Sequence, residues 1–323
     1  MEKRRLGRSG LEVTRVILGC GNFGGIGSAP QFFGQGESRE EAFALMDAAA
    51  EAGITVFDTA DAYGGGRSER WIGEWLAAGG RPEILVTTKV FHAGDGAPGD
   101  RGLAYERVLR RLDGSLERLG VEQVDMYVTH ATDPDTPIAE TLRALDELVR
   151  VGKVRAVGAS NISGHELEDA LAASEQHGLV RFEWVQNPYS LLDRDAETEI
   201  FPICEREGLG FTPFGPLEGG WLTGKYRRGQ TPPPGSRMTM RPEPYAHLET
   251  EAVYRGIDRL EEAAAERGVH MASLALAWVL SHPLVAGAVV GPRHPRQLGV
   301  VADALRLPLT PSERDELAGL FAT

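Results

Sequence analysis

Asp58, Tyr63, Lys89 and His130 bring together a carboxylate, a phenol, an ammonium and an imidazole, and three of these four close short apolar runs of the kind that form strands. A free tyrosine titrates near pH ~10 and donates its proton slowly at neutral pH; a nearby ammonium stabilises the phenolate and lowers that value. Lys89 is the candidate cation. A partly buried lysine loses its proton unless it is paired, and Asp58, on the adjoining run, is the candidate partner. His130 can hydrogen-bond an oxygen on which negative charge develops. Taken singly, each residue has a plainer reading, since an aspartate caps loops, a lysine snorkels and a histidine can be satisfied in a core. Together, at the ends of consecutive strands with a tyrosine in the adjacent loop, they are hard to assign to stability alone.

Such a set needs neither a metal nor a covalent nucleophile. If it protonates the oxygen of a carbonyl group, the carbon must receive a hydride, which no side chain delivers, so a nicotinamide cofactor is implied. A competing arrangement is a metal-dependent hydrolase built on Asp58, Asp61, His92 and His130, but Lys89 among those ligands is an awkward neighbour for a divalent cation.

The elements that must position these residues alternate in type. Strand-like runs fall near residues 16–19, 55–58, 84–89, 125–130, 154–160, 183–187, 210–214 and 285–290, and amphipathic helices occupy, for instance, 39–52, 104–119, 138–151 and 165–177. Ser38 reads as a helix N-cap followed by acids, and Gly53, Gly120, Gly152 and Gly178 sit where helices should stop. Parallel strands joined by right-handed helical crossovers close most simply into one α/β domain, a (β/α)8 TIM barrel spanning residues 1–323 with extended loops on its C-terminal face. An open doubly wound sheet is the alternative. Residues 227–247 stand apart, with prolines at 232, 233, 234, 242 and 244. They read as a mobile loop after the seventh barrel strand, either a lid over a cofactor or a plain surface loop.

Composition narrows the partners. The chain carries 34 basic and 47 acidic residues, a net charge of -13 that opposes attraction to nucleic-acid phosphates or anionic membranes. A dinucleotide must therefore be held by local donors. Cys20 and Cys204 are too few for a disulfide framework, residues 1–8 lead into no signal segment, and the most apolar stretch, 271–290, is interrupted by Ser281, His282 and Pro283. A small-molecule substrate in a cytoplasmic setting is expected, and oligomeric state is not legible from the pattern.

The glycines of Gly19-Cys20-Gly21-Asn22-Phe23-Gly24 have the wrong spacing for the dinucleotide fingerprint of an open sheet. The late loops suit the task better. Phe214-Gly215-Pro216-Leu217-Glu218-Gly219-Gly220-Trp221-Leu222-Thr223-Gly224-Lys225 offers an aromatic, glycines that let amides approach a pyrophosphate, and a lysine; Gly291-Pro292-Arg293 adds amides and a guanidinium.

At these residues the chain resembles the aldo-keto reductase superfamily. Leu6-Gly7-Arg8-Ser9-Gly10-Leu11-Glu12-Val13, the 58–64 run, Thr88-Lys89, the 125–130 run, Val157-Gly158-Ala159-Ser160-Asn161, Val185-Gln186 and Leu222-Thr223-Gly224-Lys225-Tyr226 match in order over nearly the whole chain. The resemblance implies NADP(H)-dependent interconversion of an aldehyde or ketone and its alcohol, with Tyr63 as proton donor supported by Asp58, Lys89 and His130. It further implies that Ser160, Asn161 and Gln186 hold the nicotinamide carboxamide and that Phe214 stacks on its ring. The pyrophosphate falls to residues 215–225, including Gly215, Pro216, Leu217, Gly219, Leu222 and Lys225. Gly21, Asn22 and Gly291 complete the cofactor set, Arg293 and Gln297 neighbour the 2′-phosphate, and Phe23, Phe91 and Trp221 line the substrate pocket. The chain departs from the family at Gly215, where serine is frequent, and at Val300 and Val301, where a Glu-Asn pair for the adenine is frequent. A cofactor-binding sensor or regulatory subunit, like the channel-associated β subunits of this fold, is the alternative function.

Overall fold

The computed structural model describes residues 1–79, 82–94 and 99–321. Its strands are β1 (Lys3–Arg5), β2 (Glu12–Thr14), β3 (Val16–Gly19), β4 (Val56–Asp58), β5 (Leu85–Val90), β6 (Val124–Thr129), β7 (Val154–Ser160), β8 (Trp184–Gln186), β9 (Gly210–Phe211) and β10 (Ala288–Val290). The last eight form a parallel sheet in the order β10-β3-β4-β5-β6-β7-β8-β9. The two edges meet. A parallel bridge joins Phe211 to Val285, and the amides of Ala286 and Val289 donate to the carbonyls of Phe211 and Pro213, each at 2.8 Å. The expected (β/α)8 barrel is thus the observed architecture, and every expected strand run contains a strand.

The period-2 alternation of a strand decides what faces the barrel interior. Ile17, Val56, Met126, Val128, Ala156 and Trp184 pack with one another inside, whereas Val16, Leu18, Phe57, Tyr127, Val157 and Val185 pack outward against the helices. Gly158 stands inside because a Cβ there would lie 2.5 Å from the Trp184 ring. Continuing each inward series by one step toward the strand C-termini reaches Asp58, Lys89, His130, Ser160 and Gln186. The opposite end is plugged by the β1–β2 hairpin, whose Leu6, Leu11 and Val13 join the interior cluster.

Helices α1 (Arg39–Glu51), α2 (Arg67–Gly79), α3 (Tyr105–Leu119), α4 (Ile138–Arg150) and α5 (Gly164–His177) follow successive strands, with Leu45, Leu112, Leu145 and Leu167 buried against the sheet. Ser38 caps α1 in a reciprocal pair with Glu41, as its position suggested, and Gly120 and Gly178 end α3 and α5 in the left-handed conformation. Later come α6 (Ala196–Glu199), α7 (Phe201–Glu207), α8 (Arg237–Met240), α9 (Glu251–Glu266), α10 (Met271–Ser281), α11 (Leu298–Leu305) and α12 (Pro311–Gly319). The apolar 271–290 stretch splits into the buried helix α10 and strand β10. No helix among the described residues is long and apolar enough to cross a membrane.

Residues 227–247 are less irregular than their prolines suggest. They contain α8, and the segment lies against the preceding loop: the Met238 amide donates to the Tyr226 hydroxyl at 3.3 Å, and the Tyr245 ring fills the space beside Gly219, where a Cβ would meet it at 2.6 Å.

Candidate active site

Strand parity and register bring the four acid–base residues to one spot at the barrel mouth. Lys89 is 1% exposed, and its Nζ donates to Asp58 Oδ1 at 2.5 Å and to the Thr59 carbonyl at 2.8 Å. The third direction from Nζ reaches the Tyr63 hydroxyl at 3.5 Å. From its other side the same hydroxyl lies 3.4 Å from His130 Nε2. Tyr63 opens a short 3-10 turn (Tyr63–Gly65) made possible by Gly64 and Gly66, whose φ angles are 58° and 83°. Ser68 fixes the strand-to-turn path, accepting from the Thr59 hydroxyl at 2.7 Å and donating to the Cys20 carbonyl at 3.0 Å.

The electrostatics differ from the sequence-based expectation in one respect. Lys89 was expected to make the Tyr63 phenol more acidic than a free tyrosine; instead burial raises its pKa, outweighing Lys89, and Asp58 adds to the rise. The phenol is therefore held in its protonated, donor-competent form, with Lys89 limiting the rise. Burial works against the Lys89 ammonium, yet Asp58 and Tyr63 turn the net direction upward, so it stays charged. His130 is pushed well below the ordinary histidine value by burial, then by Lys89 and His92, and is a neutral imidazole. Its Nδ1 is buried without a hydrogen-bond partner.

Gln186 and Ser160 are at the same mouth but partly committed to the protein. Gln186 Nε2 donates to Asp58 Oδ2 at 2.9 Å, giving this carboxylate a second partner, and Ser160 Oγ donates to the Gln186 carbonyl at 2.7 Å. Asn161, in the left-handed region at φ 53°, donates to the His130 carbonyl at 2.9 Å. Phe214 is half-buried at the end of the seventh barrel strand. Gly215 has φ 69°, and a Cβ there would meet only Glu218 Oε1 at 4.0 Å, so the backbone conformation rather than crowding favours glycine. Pro216 and Leu222 are buried beneath the loop, Leu217 is half-buried, and Gly219 and Gly220 take φ of 58° and 102°; a Cβ on Gly220 would strike the Lys225 side chain.

Three cations meet beside this loop. Lys225 is lowered below the usual lysine value by burial and then by Arg237 and Arg293. Arg237 Nη2 donates to Asn22 Oδ1 at 2.5 Å, and Arg293 pairs with the buried Glu37 at 2.6 Å while Nη1 donates to the Gly235 carbonyl at 2.6 Å. Gln297 accepts from the Arg293 and His294 amides, ordering the entrance to α11. Gly291 is exposed, whereas Val301 is buried and Val300 half-buried on α11, so these two positions offer apolar side chains. Gly21 lies against Tyr63, where a Cβ would stand 3.4 Å from the ring. Positive-φ glycines and the nearby cations Lys225, Arg237 and Arg293 fit the phosphates of a dinucleotide; the donor set at Ser160, Asn161 and Gln186 fits a carboxamide.

The aromatic residues divide. Phe91 packs edge-on against His92, whose ring is 4.7 Å from that of His130. Phe23 is buried at the loop after β3. Trp221 is buried, and its ring packs with Tyr226 and with Tyr254 of α9, centroids 5.2 and 5.7 Å apart. Both carboxylates of the metal alternative are paired with cations, Asp58 with Lys89 and Asp61 with Arg111 at 2.8 Å, and no group of three or more possible metal ligands occurs among the described residues.

Sequence reasoning missed the supporting acids and bases. Glu69 accepts from Thr88 at 2.5 Å and from Arg118 at 2.6 Å, and Arg107 ties the His92 carbonyl to Gly102 and Asp100. Asn187 clamps both backbone groups of Ile162. Charged residues on an amphipathic helix carry no spacing signal that separates these from solvated neighbours. Arg237 and Arg241 were detectable as two of the four arginines in residues 227–247 of an acidic chain.

This barrel with an acid–base cluster at its mouth and an anion-suited late loop defines a nicotinamide-type oxidoreductase architecture. The sequence profile of the Aldo/keto reductase family matches residues 15–321. Among curated relatives, an uncharacterized oxidoreductase of Bacillus subtilis (strain 168) is 35% identical over 96% of this chain and 92% of its own length. A probable voltage-gated potassium channel subunit beta of Oryza sativa subsp. japonica is 34% identical over 92% and 89%, respectively. Versiconal hemiacetal acetate reductase of Aspergillus parasiticus is 32% identical over 97% and 95%. The chain belongs to the aldo/keto reductase family, oxidoreductases that act on small carbonyl compounds.

Proposed function

We propose that this chain reduces an aldehyde or ketone to the corresponding alcohol with NADPH, as one cytoplasmic barrel domain whose 227–247 loop covers the bound cofactor. The observation that carries this reading is the Tyr63 hydroxyl flanked by Lys89 Nζ at 3.5 Å and His130 Nε2 at 3.4 Å, with Lys89 fixed by Asp58. When bound, NADPH supplies the hydride that becomes the new C–H bond and leaves as NADP⁺. Tyr63 Oη gives its proton to the carbonyl oxygen. Lys89 stabilises the phenolate left behind, and Asp58 keeps Lys89 charged and aimed. With its hydrogen on Nε2, the neutral His130 ring donates to the same substrate oxygen and holds the carbonyl in line. Ser160, Asn161 and Gln186 orient the carboxamide, Phe214 stacks on the nicotinamide, and Lys225, Arg237 and Arg293 meet the phosphates.

NADP is favoured over NAD because Arg293, with Gln297 beside it, offers charge and hydrogen bonds to a 2′-phosphate. The test is NADPH and NADH binding by fluorescence, with absorbance of the reduced cofactor followed over a panel of aldehydes and ketones. Oxidation of NADPH by at least one carbonyl supports the proposal; no binding of either cofactor overturns it. The likeness to a channel β subunit supports a second reading, a redox-sensing regulatory subunit. Tight retention of NADP(H), turnover below one per minute on the whole panel and a co-purifying partner are the results that would favour it.

A further inference from the structure

Arg237 and Arg241 are four residues apart at the two ends of α8, yet they meet different surroundings. Arg237 is hydrogen-bonded to Asn22 on the phosphate side. Arg241 is half-buried, and among the described residues its guanidinium has neither an acidic partner nor a hydrogen bond. That is unusual in a chain where acids outnumber bases 47 to 34 and where neighbouring Arg293 pairs with Glu37. Its one recorded contact partner by ring is Phe32, with the guanidinium carbon 5.9 Å from the centroid, at the outer limit for a cation–π attraction.

A backbone path connects Arg241 with the loop that carries Tyr63, and its charge also acts on His92. On one side, a methyl group added to Gly27 would stand 3.2 Å from Arg241 Nη1. The Gly27 carbonyl accepts from the amide of Gly64, which follows Tyr63, at 3.2 Å, and the Gly27 amide donates to Gly21, the glycine against the Tyr63 ring, at 2.6 Å. On the other side stands His92, whose ring is 4.7 Å from His130. Burial lowers the His92 pKa first, and the charges of Arg107 and Arg241 lower it further, so its neutral ring lies within the field of this arginine. Neither His92 ring nitrogen makes a hydrogen bond among the described residues. A partly desolvated guanidinium without an anion is costly to keep, and an anionic ligand would remove that cost.

We propose that Arg241 binds a negatively charged group carried by the carbonyl substrate, a carboxylate or a phosphate, with His92 as a second hydrogen-bond donor to the same group. The inference rests on the reductase reading and specifies its substrate class. It makes Arg241 a specificity residue reaching from the proline-rich loop, so the same loop that covers the cofactor selects the substrate.

The experiment compares 4-carboxybenzaldehyde, its methyl ester and 4-formylphenyl phosphate as substrates of the full chain with NADPH. Wild-type protein should prefer at least one anion over the ester by about tenfold or more in kcat/KM, expressed in KM, the scale of a charge-assisted hydrogen bond. The better of the two anions identifies the group. In Arg241→Gln the ratio of anion to ester should fall about 10- to 100-fold, and Arg241→Lys should restore part of it. An ester reduced as well as both anions overturns the substrate class and leaves the reductase standing. So does a ratio unchanged in Arg241→Gln, or an NADPH Kd that weakens in step with kcat/KM, which would assign Arg241 to the cofactor. Cofactor bound but none of the three reduced also overturns it. Failure to bind NADPH at all removes the underlying reading, and this inference with it.

Discussion

Two buried ion pairs lie side by side at the mouth of the barrel, Asp58–Lys89 and Asp61–Arg111, and their acids are three residues apart. They have opposite fates. Asp58 and Lys89 both come from barrel strands and face inward, and after the lysine has satisfied Asp58 and the Thr59 carbonyl it retains a direction toward Tyr63. Asp61 lies past the strand end, and Arg111 reaches it from α3 while also touching Asp100, so its guanidinium is spent on the loop. The same electrostatic unit thus leaves a cation facing Tyr63 in one case and anchors a loop in the other. What separates them is whether the cation has donors left over that aim into the cavity.

The comparison breaks most sharply at Tyr63. Tyr63→Phe should lower kcat by about 100- to 10,000-fold, the range for loss of a general acid, with NADPH Kd and unfolding midpoint nearly unchanged. Retained turnover, measured by absorbance of the reduced cofactor, would show that the Asp58–Lys89 pair is an anchor like its neighbour. The reverse is expected of Arg111→Met. It strands a buried carboxylate and should cost on the order of 3 kcal/mol in denaturant unfolding, with kcat of the folded fraction changed by less than about threefold.

That cost should depend on pH. Burial raises Asp61 to about 6 even with Arg111 present, and removing the cation raises it further. A carboxyl whose folded pKa lies above its unfolded one contributes its full stability below the unfolded value near ~4 and loses it as pH rises through the folded value. Arg111→Met should therefore be least damaging near pH 5 and most damaging above pH ~7, and a penalty independent of pH would contradict the assignment. Glu218 offers the mildest test. Burial raises it to about 7, with Ser190 its hydrogen-bond partner at 2.8 Å. Glu218→Gln should thus gain stability relative to wild type as pH rises from 5 to 8, by on the order of 1–2 kcal/mol, in thermal or denaturant melts.

Much of the site was readable from the chain because its residues close strands. Asp58, Lys89 and His130 follow apolar runs, and period-2 alternation carries Val56 inward to Asp58 and Val128 inward to His130 without any tertiary information. The helix ends at Ser38, Gly120 and Gly178 were equally local, since caps are set by neighbours in sequence. The β1–β2 hairpin was not singled out, because three-residue strands flanked by charges lack a periodic signature. Arg111 and Glu69 were missed for another reason: their partners Asp61 and Thr88 lie 50 and 19 residues away, and Arg107 reaches 15 residues back to the His92 carbonyl.

The chain alone determined the barrel and the strand-end positions of Asp58, Lys89 and His130, because these follow from hydrophobic runs and the residues that close them. Only the tertiary structure decided the direction of the Tyr63 shift, the engagement of Gln186 with Asp58, the packing of Trp221 against Tyr254 of α9 and the lack of an acidic partner for Arg241 among the described residues. Each of these is a sum over groups distant in sequence, where burial competes with charge, and composition and spacing do not contain that sum.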